Sequence, residues 1–164
     1  MLTIREQEDP APADALHRIL VPIDFSDHSR SAIAYASEVA KLFGAKLQFL
    51  HVVEETIHPA FYATGKVSIF ELVADLKDRT QRAMQKLRDE LVDPKIETEY
   101  HVTEGRAARD ISKFAAEHDS DMIVISTHGL TGIEHLLLGS VAEKVVRMAP
   151  CPVLTVKSFG KSLL

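Results

Sequence analysis

Five short apolar runs, each parted from the next by a stretch of helical period, constrain this chain more than any other feature. The runs occupy residues 18–24, 46–53, 96–102, 122–127 and 153–157. Between the first two, Ala32, Ile33, Ala36, Val39, Ala40 and Phe43 recur on one helical stripe. Ser26 and Asp27 offer N-cap chemistry before that stripe, and Gly44 stands where a left-handed stop is wanted. A longer stripe, Ile69, Leu72, Val73, Leu76, Ala83, Met84, Leu87 and Leu91, ends before Pro94. Gly105 opens a third helix that faces inward through Ala107, Ala108, Ile111, Phe114 and Ala115, and a fourth begins near Val141. Parallel strands need a long crossover, usually a helix. Strict alternation therefore predicts an α/β fold: a three-layer, open, parallel five-stranded sheet with helices on both faces. In the run at 96–102, Ile96, Thr98, Tyr100 and Val102 alternate with Glu97, Glu99 and His101. That pattern predicts a half-exposed strand at a sheet edge.

A chain of 164 residues suits one domain with one good core. Residues 1–16 read as a flexible tail, 17–158 as the domain and 159–164 as a second tail. The first of these holds Glu6, Glu8, Asp9, Pro10 and Pro12, unlike a secretory leader. No apolar run is long enough to span a bilayer, so a cytoplasmic location and no membrane partner are expected. A net charge of -5 argues against a nucleic-acid partner, which needs a basic face. The single cysteine, Cys151, excludes an internal disulfide and a CxxC site. It lacks an evident activating neighbour and reads as an inert thiol.

Chemistry concentrates in Ser126, Thr127, His128, Gly129, Leu130, Thr131 and Gly132, followed by Gly139 and Ser140. Glycines between a strand and a helix let main-chain N–H groups converge inward. The helix start adds unpaired N–H groups and partial positive charge. A polyphosphate can be held there without a lysine. Neither GxxxxGK[ST] nor GxGxxG occurs, so this is neither a P-loop nor a dinucleotide fingerprint. Ligands of open α/β sheets bind beyond the carboxyl ends of strands where the winding reverses. Asp24 ends the first strand, Val52 and Val53 the second, and Ser126 and Thr127 the fourth.

Each of these residues also has a plainer role open to it. Gly129 and Gly132 can make only a tight turn. Ser140 and Glu143 have capping-box spacing. Asp24 can cap the following helix, Val52 can be plain core, and Gly105 can be a helix-entry glycine. The eight histidines form neither HExxH nor a Cys/His zinc spacing, so His128 reads as a loop histidine. Phe61 and Tyr62 read as anchors of the loop between the second strand and the second helix.

In combination the motifs resemble the universal stress protein family over residues 17–158. The resemblance is carried by Ile19, Leu20, Val21, Pro22, Ile23 and Asp24, by Leu50, His51, Val52 and Val53, and by Glu104, Gly105, Arg106, Ala107 and Ala108. It is strongest at the Ser126 to Gly132 loop and at Leu138, Gly139, Ser140, Val141, Ala142, Glu143 and Lys144, and runs on through Ala149, Pro150, Cys151 and Pro152. The resemblance implies a Rossmann-like, adenine nucleotide alpha hydrolase-like fold with strand order 3-2-1-4-5, and a homodimer joined through the last strand, Val153–Val156. One branch of that family binds ATP through Gly, two residues, Gly, nine residues, Gly, then Ser or Thr. Gly129, Gly139 and Ser140 keep that spacing, while Ser126 stands at the first glycine position. The other branch lacks the pattern and does not bind ATP.

The resemblance further implies ATP, with Mg²⁺ carried on its phosphates, as the ligand of a stress-response regulator read by an unidentified protein partner. Adenine would meet Val52 in a pocket shaped by Pro22 and Ile23. The ribose, or the metal, would meet Asp24, with Gly105 beside the ribose. The phosphates would lie over Ser126, Thr127, His128, Gly129, Gly132, Gly139, Ser140 and Val141. Two rival readings stay open: a nucleotide-free dimeric interaction module, and a slow ATPase whose water-activating base is Asp24 or His128. The dimer has an independent physical motive, since an apolar terminal strand is a liability unless it is covered.

Overall fold

Ile19, Leu20 and Val21 have no exposed surface, because β2 (Arg18–Pro22) lies at the centre of the sheet with helices on both faces. A computed structural model of the chain describes residues 2–3, 16–54, 69–127 and 138–157, with 2–3 and 69–73 described by backbone alone. After β1 (Leu2–Thr3) and β2 come α1 (Asp27–Phe43), β3 (Lys46–Glu54), α2 (Ile69–Leu91) and β4 (Thr98–Gly105). The chain continues through α3 (Ala107–Glu117), β5 (Met122–Ser126), α4 (Ser140–Met148) and β6 (Val153–Val156). The sheet runs β1-β6-β5-β2-β3-β4. Its five parallel strands, β2 to β6, stand in the expected order 3-2-1-4-5.

The strands alternate between two cores. Ile19, Val21, Leu47 and Phe49 pack with Ala32, Ile33 and Ala36 of α1 and Met84 and Leu87 of α2. Leu20, Leu50, Ile123 and Ile125 pack on the other face with Ile111, Phe114 and Ala115 of α3 and Ala142 and Val145 of α4. Strands buried on both faces must read as continuous apolar runs, as these do. Each fully buried Ile, Leu or Phe contributes about 1.5–3 kcal/mol. β4 is an edge strand, as its alternating sequence predicts, and every one of its residues except exposed Glu104 is half-buried.

Local chemistry sets the ends of α1. Ser26 is its N-cap and its hydroxyl accepts from Ser29 N–H at 3.2 Å. Gly44 stops the helix at φ 65°, a left-handed turn that glycine takes without strain. β1 lies in the segment read from sequence as a tail. It pairs antiparallel with β6, Leu2 opposite Leu154 and Thr3 opposite Val153. Two residues carry no period by which a strand can be recognised in advance.

The direction of the main chain in β3 matters for the site. Lys46 N–H donates to His17 O at 2.9 Å and Ile23 N–H to Leu50 O at 2.8 Å, both on the β2 side. Leu47 N–H donates to Glu97 O at 2.9 Å on the β4 side. Even-numbered residues of β3 thus turn their main-chain groups towards β2, and odd-numbered ones towards β4.

Candidate functional site

The winding reverses between β2 and β5. β2 and β5 are neighbours, yet β2 leads into α1 on one face whereas β5 precedes α4 on the other. Their register pairs Ile19 with Met122 and Leu20 with Ile123. Extended along the strands, it sets Ile23 level with Ser126 and Asp24 level with Thr127. The structure therefore brings Pro22, Ile23, Asp24, Val52, Ser126 and Thr127 to one carboxyl end of the sheet, at the place where open α/β sheets bind ligands. Gly139, Ser140 and Val141 start α4 beside them, since Gly139 N–H donates to Thr127 O at 2.6 Å. His128, Gly129 and Gly132 lie outside the described residues, as do Phe61 and Tyr62.

The start of α4 corrects one expectation. Ser140 and Glu143 do not form a capping box. Gly139 is the N-cap, extended at φ -70° and ψ 156°, and no side chain among the described residues caps the helix. Ser140 is the first helical residue and is exposed. The first intrahelical donor is Glu143 N–H, to Gly139 O at 2.9 Å. The N–H groups of Ser140, Val141 and Ala142 precede it and have no main-chain acceptor among the described residues. Three N–H groups at a helix start, with the partial positive charge of the helix behind them, form an anion-binding arrangement.

At the end of β2, Asp24 Oδ1 accepts from Ser26 N–H at 3.0 Å and from Ser26 Oγ–H at 2.6 Å. Asp24 thus orients the residue that caps α1. Between them Phe25 takes φ 63°, a left-handed conformation that is strained for a bulky side chain, and leaves its ring 37% exposed. That ring lies 4.9 Å from the imidazole of His51, tilted by 53°. Sequence reasoning quoted His51 only as part of a motif and gave Phe25 no role. A histidine near the carboxyl end of a central strand was the available signal.

Gly105 closes β4 rather than opening α3, whose N-cap is Arg106. At φ 150°, any β-carbon there would lie 2.1 Å from Asp110 Oδ2. That same oxygen accepts from Arg106 N–H at 2.6 Å, and Arg109 Nε donates to Asp110 Oδ1 at 3.0 Å. The close approach at Gly105 is to the chain's own carboxylate. The Arg109 guanidinium, followed by the Arg106 N–H, holds the Asp110 carboxyl below its ordinary 3.8. Asp110 was not singled out from sequence; an acid five residues after a glycine at a strand-to-helix turn was the clue.

Among the described residues no group of three or more His, Cys, Asp or Glu is placed to hold a metal ion. Burial pushes the Cys151 thiol up to about 12, so it is neither a nucleophile nor a ligand at neutral pH. A surface hollow lined by Gln85, Arg88, Asp89, Ile96 and Tyr100 lies at the amino end of the sheet, away from this site.

Comparison with known proteins agrees with this fold. The chain is 37% identical over 145 residues to universal stress protein MJ0531 of Methanocaldococcus jannaschii, covering 88% of this chain and 84% of that protein. It is 30% identical over 146 residues to universal stress protein YxiE of Bacillus subtilis, covering 86% and 99% respectively. The solved structure of MJ0577, also from Methanocaldococcus jannaschii, superposes with a TM-score of 0.75 at 27% identity, over 89% of this chain and 99% of that one. A universal stress protein from Archaeoglobus fulgidus, solved in complex with dAMP, superposes with a TM-score of 0.57 at 26% identity, over 85% and 96%. The profile of the Universal stress protein family matches residues 15–157. The chain belongs to the universal stress protein family.

Proposed function

We propose that the protein is a dimeric regulator that binds ATP, with Mg²⁺ carried on the phosphates, at the carboxyl end of β2, β3 and β5. The observation that carries this reading is the uncapped start of α4, where the N–H groups of Ser140, Val141 and Ala142 lack main-chain acceptors among the described residues. A charge-assisted hydrogen bond contributes about 1.5–3 kcal/mol. Three of them, with the adenine contact, support micromolar affinity after the cost of association. The dAMP complex of the Archaeoglobus fulgidus relative supports an adenine nucleotide as the class of ligand.

In this reading adenine lies against Val52, and Pro22 and Ile23 shape its pocket. Asp24 meets the ribose or the metal, while Gly105, set against the Asp110 carboxylate, serves the turn into α3. Ser126, Thr127, His128, Gly129, Gly132, Gly139, Ser140 and Val141 surround the phosphates. Mg²⁺ normally keeps several waters and takes one or two carboxylates besides phosphate oxygens. The single carboxylate of Asp24 at this end of the sheet fits that habit. ATP would shift the population of loop conformations, and a partner protein would read the shift.

The test is Gly139→Val. The substitution fills phosphate space at an extended position that valine can adopt. Titration calorimetry with ATP and Mg²⁺ should show binding by the parent and none by the variant, with identical far-UV circular dichroism. A parent that gives no heat at millimolar ATP returns the function to the nucleotide-free module, the reading favoured by Ser126, which is 8% exposed at the first glycine position of the family pattern.

The homodimer would join through β6, whose residues Val153 and Leu154 already pair with β1 in the single chain. Sedimentation equilibrium measures that association. A cytoplasmic setting accords with the described helices, none of which is long and apolar enough to cross a membrane.

A further inference from the structure

The hydrogen bond that ends the β2–β3 ladder is made by a side chain. Leu50 O accepts from Ile23 N–H at 2.8 Å, so in a regular parallel ladder the next bond would run from Val52 N–H to Ile23 O. Ile23 O instead lies 2.7 Å from Nδ1 of His51. A carbonyl only accepts, so Nδ1 carries the proton and donates. Val52, even-numbered, turns its N–H and C=O towards the β2 side and beyond the end of that ladder. No described residue partners its N–H. The other face of the imidazole is held by the ring of Phe25, whose strained left-handed backbone joins Asp24 to the cap residue Ser26.

We propose that His51 is a positioning residue for the base: its Nδ1–H takes Ile23 O and so keeps the main-chain edge of Val52 for the hydrogen-bonding edge of a purine. The inference rests on the nucleotide reading above for its ligand, but not for its geometry. An adenine edge presents a donor and an acceptor side by side, and a strand residue with both main-chain groups directed outward is its complement. If Ile23 O claimed Val52 N–H, that complement would lose its donor, while the phosphate end of the site would be untouched.

Two variants and two readouts test the clamp. His51→Phe keeps an aromatic ring beside Phe25 and removes the donor; His51→Asn sets an amide nitrogen near the place of Nδ1. In His51→Phe, amide exchange at Val52 should slow by about tenfold in nucleotide-free protein, as Ile23 O recruits its N–H. Affinity for ATP should fall by about tenfold while affinity for inorganic tripolyphosphate stays within about twofold. His51→Asn should restore both. Val52 exchange unchanged in His51→Phe, or ATP and tripolyphosphate affinities falling together, overturns the proposal. His51→Leu serves in the same measurements if the phenylalanine variant does not fold. A parent protein that binds neither ligand refutes the nucleotide reading alone, and Val52 exchange still decides the clamp.

Discussion

α3 and α4 begin at the same end of the sheet, α3 directly after β4 and α4 after a long connection from β5, and they begin differently. The turn into α3 is closed by charged side chains, though none caps the first amides of the helix: Asp110 takes the N–H of the N-cap residue Arg106, and Arg109 secures the carboxylate. α1 is closed too, by Ser26 under the hold of Asp24. α4 has glycine at the cap and, among the described residues, no side chain bonded to its first amides. A capping group stabilises a helix by about 1 kcal/mol, so its absence is a standing cost. The contrast teaches that the chain fills the turn into α3 with its own carboxylate, whereas the turn into α4 holds no such charge among the described residues and can receive an anion.

The largest expected effect comes from making α4 resemble its neighbours. Gly139→Asp supplies a capping carboxylate and places negative charge where phosphates would lie. Melting temperature should hold or rise, and ATP affinity should fall by about 100-fold, near 3 kcal/mol. Calorimetry alongside a thermal melt checks this, and affinity within about threefold of the parent would erase the distinction between the two helix starts.

Disturbing the closed start should do the reverse. Gly105→Ala drives a methyl into the Asp110 carboxylate at a φ that alanine tolerates poorly. It should cost about 2–3 kcal/mol in urea unfolding and leave ATP affinity of the folded fraction within about threefold. A loss of affinity that exceeds the loss of stability would place the ribose at Gly105 after all.

Acid gives a gentler probe of the same carboxylate. The folded-state pKa of Asp110 lies below its unfolded value, so its stabilisation is present above about pH 4 and is lost as pH falls through the folded value. Asp110→Asn should therefore be less stable than the parent by about 1–2 kcal/mol at neutral pH, and the gap should narrow below about pH 4. A gap constant from pH 7 to pH 2 in urea titrations would show that the carboxylate charge contributes nothing. Smallest is Ser26→Ala, which should cost about 1 kcal/mol by removing the α1 cap. If it also weakens ATP binding more than about threefold, the Asp24 turn is less independent of its cap than the bonding pattern says.

The sheet was legible because its strands are buried on both faces, so that Ile19, Leu20, Val21, Ile123 and Val124 leave no choice of element. Strand order came from the resemblance, which composition and period do not supply. The start of α4 was misread by one residue, since Gly139 and Ser140 are both good cap residues and local sequence cannot choose between them. The choice is made by Thr127 O, twelve positions back, which takes the Gly139 N–H. Asp110 and His51 escaped for a related reason. Each acts on a main-chain atom whose position depends on the folded chain, at Arg106 and at Ile23.

That single bond from Gly139 to Thr127 has a further reach. It holds Thr127 and Gly139 together, so the two anchor points stay fixed whatever sequence joins them. Lengthening a closed ring is cheap, about 0.6 kcal/mol for each doubling. The frame on either side therefore need not feel what happens inside. Insertions between the two anchors are therefore expected to cost the scaffold little.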